Sequence, residues 1–357
     1  ITDKLSRTVT FGYDAAGNQA TVIDPQGRVT TTEYDNAGDP VRVIAPDRGV
    51  TQFFYDGNKN LLRLVDSLGR EKSWTYDERE RVISYTDALG RTTFMQYDEV
   101  GNLIAYTRED GTVIEYVYDD VNRVSEVKYP ELPGVAADAV TYTYDELYRV
   151  TDQSDNDSAI DYAFDPISRL TSTTQTWNSQ ADTLSFAYDL IDRRIGMADA
   201  TGTSTYVYDD LDRMTGLTDS AARAFGFAYD PLDRLTRKIM ANGTATDFTY
   251  DPASQLLDII TEKVNTSEVI ESIAYTYNTT GTRSSETRLD GNARTFFYDA
   301  NDRVTQVINS QLPSDNELFA YDLIGNWTTD SRQHNTENEL TQDSGYTYSY
   351  DSLGNMT

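Results

Sequence analysis

The sequence predicts an all-β protein: a long antiparallel meander of hairpins that has to coil. Three observations lead there. The dipeptide Tyr-Asp recurs at Tyr13, Tyr34, Tyr55, Tyr76, Tyr97 and Tyr118, each interval being 21 residues. Turn-forming residues follow every copy. Between turns, aromatic residues occupy alternate positions, which is the period of a strand and not of a helix.

The repeat runs the length of the chain. Tyr-Asp, or Tyr-Asn in one case, continues at Tyr144, Tyr188, Tyr208, Tyr229, Tyr250, Tyr277, Tyr298, Tyr321 and Tyr350. Phe164 and His334 stand in for the tyrosine in two further copies, which makes 17 copies of which 15 keep tyrosine. Residues 1–128 form a strict array, and residues 129–357 are the same array with insertions, so the whole chain is one repeat region.

Each element has a local reason. The Asp suits the first position of a type I turn, because its carboxylate accepts from nearby backbone N–H groups. Pro166, Pro231 and Pro252 fit the next position through their fixed φ. Gly, Asn or Asp three residues after the Asp tolerates positive φ and permits a bulge. A second turn lies halfway between motifs, as in Asp24-Pro25-Gln26-Gly27-Arg28 and Asp87-Ala88-Leu89-Gly90-Arg91. Two four-residue turns in 21 residues leave strands of about six or seven residues. Two positions before the motif aromatic stands another aromatic in 14 of the 17 copies, for example Phe53, Trp74, Tyr116 and Phe227. Both rings then lie on one sheet face.

Seventeen repeats of two strands amount to about 34 strands, or roughly 160 Å of sheet at ~4.8 Å per strand. Open twisted sheets rarely pass ~10 strands without curling. The sheet is therefore expected to coil, either as a narrow solenoid or as a wide wall around a cavity. Both ends are expected to be unpaired edges, as in a segment of a longer wall.

The motif Tyr-Asp-x-x-Gly/Asp/Asn-Arg-aliphatic resembles the YD repeat of the Rhs/YD-repeat family. It stands in the sequence as Tyr118-Asp119-Asp120-Val121-Asn122-Arg123-Val124, Tyr208-Asp209-Asp210-Leu211-Asp212-Arg213-Met214 and Tyr298-Asp299-Ala300-Asn301-Asp302-Arg303-Val304. That family includes bacterial Rhs polymorphic toxins, wall-associated proteins, the B and C shell components of Tc toxins, and teneurins. The resemblance covers essentially the whole chain. It implies a spiral β-shell, a segment of a hollow cocoon, which in toxin members encloses a C-terminal effector domain. The self-cleaving plug signature of the toxin shells is not found in this sequence, so a wall segment is expected.

Composition narrows the chemistry. The chain has no cysteine and one histidine, and 59 acidic against 30 basic residues give a net charge of −29. Cysteine nucleophiles, disulfides and Cys-type zinc sites are excluded, and a Ser-His-Asp triad would have only His334. The charge repels phosphate backbones, so nucleic acid is not an expected partner. No apolar run reaches ~18 residues, so no membrane span is expected. No targeting segment is read at the start of this stretch.

The repeated Asp is read as a turn residue and not a catalytic carboxylate, because a group present at every turn is geometry. The motif tyrosines are expected to pack on one another and on cross-strand neighbours. The Arg or Asn five residues after them is expected to stack on a ring of an adjacent repeat or to pair with a turn Asp. His334 reads as a degenerate copy of tyrosine. Trp177, in the inserted segment Thr173–Leu184, is the candidate contact for a partner or a sugar. The oxygen-rich run Asp152–Asp157 lacks the pattern of a calcium loop. No catalytic residue, cofactor or metal site is assigned.

The expected role is therefore a non-catalytic wall of a secreted or cell-surface bacterial protein. Its partners would be an enclosed effector domain or neighbouring shell segments of the same polypeptide. A carbohydrate-binding surface is the alternative, with glycans as partners. A polysaccharide lyase or glycosidase with a rim site comes third.

Overall fold

The computed structural model describes residues 1–357. Strands dominate, and helix is limited to two single 3-10 turns at Pro313–Asp315 and Thr329–Ser331. Twenty-nine strands, from Thr10–Tyr13 to Glu317–Leu318, form one sheet. Every strand pairs antiparallel with the one before it and the one after it, from the first hairpin to the last. A separate two-stranded piece pairs Gln333–His334 with Leu340–Gln342. This is the expected meander with fewer full strands than 34. The shortfall lies beyond Leu318, where successive motif positions are only 13 and 16 residues apart. That is too little chain for two six-residue strands and two turns, so beside that short two-stranded piece only isolated bridges such as Tyr321–Trp327 and Tyr350–Met356 form.

The motif turn and the register come from the same residues. At Tyr208 the Asp209 N–H donates to the Arg213 carbonyl and the Asp212 N–H to the Asp209 carbonyl. Asp212 has φ 63°, the left-handed region that Gly, Asn and Asp tolerate best. One residue is thereby left over, and the register slips between Val207 and Tyr208. The same bulge recurs at the motif tyrosine of other repeats, for instance Tyr55, Tyr144 and Tyr298.

Two of the inserted segments are not loops. They lengthen the strands: Leu170–Trp177 pairs with Gln180–Tyr188, and Leu256–Lys263 with Glu268–Tyr277. In both hairpins the antiparallel pairing runs on to the tip, at Trp177/Gln180 and Lys263/Glu268, so the added residues continue the ladder instead of interrupting it.

Only 10 of 357 residues are buried, which identifies a wall one sheet thick. Its aromatic face is half-buried and its other face exposed: Phe53 and Tyr55 are shielded while Phe54 between them is not. Of the two shapes open to the sequence, the wide wall is the one adopted. The wall curves back on itself. Arg7 meets Gln255 and Arg28 meets Asp302, contacts 248 and 274 residues apart. One circuit therefore takes about that many residues, and the chain completes somewhat more than one.

Candidate functional site: the turn rims of the wall

A coiled meander has two rims, one made of motif turns and the other of mid-repeat turns. The conserved grammar of the repeat is spent there. At a motif turn the Asp side chain is saturated. Asp209 Oδ1 accepts the N–H groups of Leu211 and Arg213 at 3.0 Å each, and Oδ2 accepts Arg213 Nε at 2.8 Å. The Arg213 hydrogen bond holds the Asp209 carboxyl below the usual carboxylate range, with the backbone N–H groups adding to it. The same cause lowers Asp77 through Arg81, and Asn18 does it for Asp14.

The arginine also reaches forward. Arg213 Nη1 donates to the Asp230 carbonyl and to Asp233 of the next motif turn, both at 2.9 Å. Its guanidinium covers the Tyr229 ring at 5.1 Å. Arg81, Arg149, Arg169, Arg193 and Arg234 repeat this arrangement on the next motif ring. A planar fork does this and an ammonium does not, because one guanidinium bonds two turns and still presents a face to the ring.

The motif tyrosines close a ladder. The strands Leu103–Thr107 and Val113–Tyr118 pair only from Ala105/Glu115 to Thr107/Val113. Leu103 lies beyond the last pair, and the Tyr118 hydroxyl donates to its carbonyl at 2.9 Å. Tyr34, Tyr55, Tyr76, Tyr97, Tyr229 and Tyr250 each do the same across 15 residues. Tyr298 does so too, and Tyr144, Tyr188, Tyr208, Tyr277, Tyr321 and Tyr350 make the equivalent bond over other spacings. The expectation that these rings pack on one another is corrected. The ring pairs in contact are Trp74–Tyr85, Phe319–Trp327 and Tyr346–Tyr348, all tilted, none of which includes a motif tyrosine. Successive motif rings sit two strands apart, about 9.6 Å, beyond the 4.5–7 Å of a ring pair. The arginine fills that gap.

The mid-repeat rim uses the same Asp-Arg turn for another purpose. Arg28 Nε bonds its own Asp24, while Nη1 and Nη2 grip Asp302 at 2.9 and 2.6 Å. Arg70 bonds Asp66, the Asn335 carbonyl and Asn338, and Arg91 bonds Asp87 and the Ser352 carbonyl. Asp47 joins in by pairing with Arg303. The mid-repeat rim of the first circuit is thus seated on the motif rim of the second. Sequence reading missed this joint, because nothing local shows which turns meet. The one available signal was that Asp-x-x-x-Arg at mid-repeat is concentrated near the start of the chain, at Asp3, Asp24, Asp66 and Asp87.

The remaining candidates lie apart from one another. Trp177 is exposed at the tip of the first long hairpin, opposite Gln180. His334 is in the short two-stranded piece, with its backbone paired to Leu340. In the run Asp152–Asp157, Asp155 Oδ1 accepts the N–H groups of Asp157 and Ser158, closing a hairpin turn. No group of three His, Cys, Asp or Glu side chains is placed to hold a metal ion. A shallow depression beside Tyr129 and Pro130 brings Glu115 and Glu126 near Lys128, without a histidine. No helix is long and apolar enough to cross a membrane.

A family model described as the teneurin YD-shell matches residues 1–357. No curated protein matches the sequence. Among solved structures, the crystal structure of TcdB2-TccC3 superposes with a TM-score of 0.70 at 15% identity, over 99% of this chain and 25% of that one. TcdB2-TccC3 without its hypervariable C-terminal region gives 0.71 at 14%, over 99% and 24%. The Photorhabdus luminescens Tc holotoxin pore gives 0.68 at 13%, over 98% and 24%. At these identities the likeness is one of fold. The chain spans about a quarter of the length of the solved chains it matches.

Proposed function

Because this chain belongs to the teneurin YD-shell family, we propose that it is a non-catalytic wall segment of a secreted or cell-surface bacterial shell protein, one that encloses or presents a toxic or adhesive partner. The observation that carries this reading is the joint between circuits. Arg28, Arg70 and Arg91 hold the second circuit of the wall on the first. A sheet fastened in this way keeps its curvature without filling its interior. Space inside the wall is left for something else, either neighbouring shell segments or a folded domain of the same polypeptide. The charge of −29 suits a basic passenger.

Three measurements test the proposal. Electron microscopy of the purified chain should show a curved wall one to two strand-lengths high; a solid globule would end the wall reading. A protease-labile basic passenger fused after Thr357 should be cut more slowly than the same passenger mixed in unlinked. Equal rates would remove enclosure. Turnover of a polysaccharide that disappears on substituting rim carboxylates would overturn the non-catalytic assignment.

A further inference from the structure

A motif turn offers a guanidinium two acceptors close together. One is the carbonyl of the first turn residue, and the other is the side chain of the positive-φ residue three positions on. Arg169, Arg193 and Arg213 fill this socket in the next turn of their own rim. Their Nη1 atoms donate to the carbonyls of Asp189, Asp209 and Asp230 and to the carboxylates of Asp192, Asp212 and Asp233, all at 2.9–3.0 Å. Across the joint between circuits, Arg28 uses the same two acceptors, the Asp299 carbonyl and Asp302. Arg70 uses the Asn335 carbonyl and Asn338. Asp302 and Asn338 have φ 59° and 71°.

A socket of this size holds one arginine. A second would bring two cations together over one pair of acceptors and leave N–H groups unpaired. The two rims at the joint respect that limit. In four motif turns of the second circuit, those starting at Asn278, Asp299, Asn335 and Asp351, the preceding motif turn has no arginine to reach forward. Its fifth residue is Gln255, Thr282, Asn326 or Glu339. Each of these turns is met by an arginine of the first circuit. Arg7 Nη1 occupies the space that a side chain at Gly281 would need, and bonds Gln255. Arg28 and Arg70 take the next sockets named, and Arg91 bonds the Ser352 carbonyl.

The remaining turn, starting at Asp322, is filled from its own rim, where Arg303 donates to the Asp322 carbonyl at 2.9 Å. The first-circuit turn beside it is Ala45–Gly49, and there Gly49 stands where the neighbouring turns have Arg28 and Arg70. A β-carbon on Gly49 would lie 3.5 Å from the Leu323 carbonyl. Asp47 of the same turn pairs with Arg303 at 3.4 Å. All five positions along the joint thus carry one arginine, from one rim or the other. A missing forward arginine does not mark the joint by itself: in the first circuit the Asn102 amide bonds Asn122, and Lys59 covers the turn of Ala37 and Asp39. The match between the two rims is what distinguishes it.

We propose that this alternation keys the two circuits in register. An arginine on one rim faces a turn left open on the other, and a slide by one repeat in either direction brings Arg28 or Arg70 against the Asp322 turn, already filled by Arg303. The same slide sets Gly49 against an open socket that it cannot fill. Attraction in the right register is thereby joined to repulsion in the wrong ones. The key concerns how the wall seats on itself, and it holds whatever the wall encloses.

The chain has no cysteine, so spin labels on Ala16→Cys and Leu289→Cys report the spacing of the circuits by pulsed electron paramagnetic resonance. Both sites are exposed, one in a motif turn of the first circuit and the other in a mid-repeat turn of the second. Thr282→Arg supplies a rival for Arg28 at Asp302, and should add a longer distance to the single one of the parent, with circular dichroism unchanged. Moving the arginine across the joint, Arg28→Thr together with Thr282→Arg, should return the single short distance. Side chains acting independently give the opposite order, with the double variant the more open. Asn326→Arg, with and without Arg70→Asn, repeats the comparison at Asn338 and covers the case in which Thr282→Arg fails to fold. An unchanged distance in both arginine insertions, or a double variant more open than the insertion alone, would overturn the proposal.

Discussion

Replacing Tyr118 by Phe removes one oxygen and nothing else. In the structure that oxygen donates to the Leu103 carbonyl at 2.9 Å, just past the end of a three-pair ladder. The ring and its half-buried position are unchanged, so the loss is that of a single hydrogen bond, about 1 kcal/mol net. The repeat supplies an internal control. Phe164 occupies a motif tyrosine position, with Arg149 over its ring at 4.5 Å. The ladder beside it again has three pairs, Asp152/Asp161 to Ser154/Ala159, which leaves Val150 where Leu103 stands. Phe164→Tyr should therefore gain what Tyr118→Phe loses, up to about 1 kcal/mol. Urea unfolding followed by far-ultraviolet circular dichroism measures both. Distant repeats add almost independently, so Tyr34, Tyr118 and Tyr229 changed together should cost about 3 kcal/mol. An unchanged urea midpoint for Tyr118→Phe, or a destabilised Phe164→Tyr, would show that the hydroxyl is not what closes the ladder.

Three further outcomes follow from the rims. Arg213→Lys should lower the urea midpoint more than Arg223→Lys does, since Arg213 bonds two turns and covers Tyr229 while Arg223 bonds only its own. Arg28→Ala should loosen the joint by about 1 kcal/mol, a solvent-screened ion pair, and hydrogen exchange should quicken around Asp299–Arg303 without a change in strand content. On acidification, turn aspartates such as Asp77 and Asp209 have folded pKa values below their unfolded value of 3.8. Their stabilisation is complete above that value and is lost as pH falls through the lowered folded values. On the alkaline side burial raises Tyr76, Tyr118 and Tyr298 above 10.0. Their contribution is complete below pH 10 and lost as pH rises through the raised values, so a circular dichroism pH titration should show a flat plateau with both limbs outside pH 4–10.

Much of this architecture is written locally. An Asp with a positive-φ residue three positions on fixes a five-residue turn, and alternation of Phe53, Phe54 and Tyr55 fixes which face is shielded. Those rules act within a dozen residues, and they yield the meander, the bulge and the coil. The partners of Arg28 are another matter. The same Asp-x-x-x-Arg pair serves Arg213 along the rim and Arg28 across circuits, and only the circumference of the coil decides which. That circumference is the sum of small twists over some 250 residues, a quantity no local pattern encodes. The insertions join the sheet for a related reason. Glu262 to Glu271 carries turn-friendly residues, yet its Glu262, Val269 and Glu271 pair into the ladder because the neighbouring strand is already there to receive them.

The scarcity of buried residues then has a physical explanation. A globular domain opposes its conformational entropy mainly by burying apolar area. With 10 buried residues in 357 this wall has little of that area. What replaces it is repetition of satisfied polar groups at places where a sheet is ordinarily weakest. Each motif turn saturates its carboxylate, each tyrosine closes a ladder end, and each forward-reaching arginine ties a turn to the next. Net contributions of this kind are small individually, and they act only if every copy is present in register. That makes the tolerance of the array uneven. A change on the exposed sheet face at Val117 or Thr205 touches no tie and should be nearly silent. The same change at Tyr118 or Asp209 removes one link from a chain in which each repeat is held by its neighbours. The strict grammar of the rims and the looser composition of the faces are two consequences of that one arrangement.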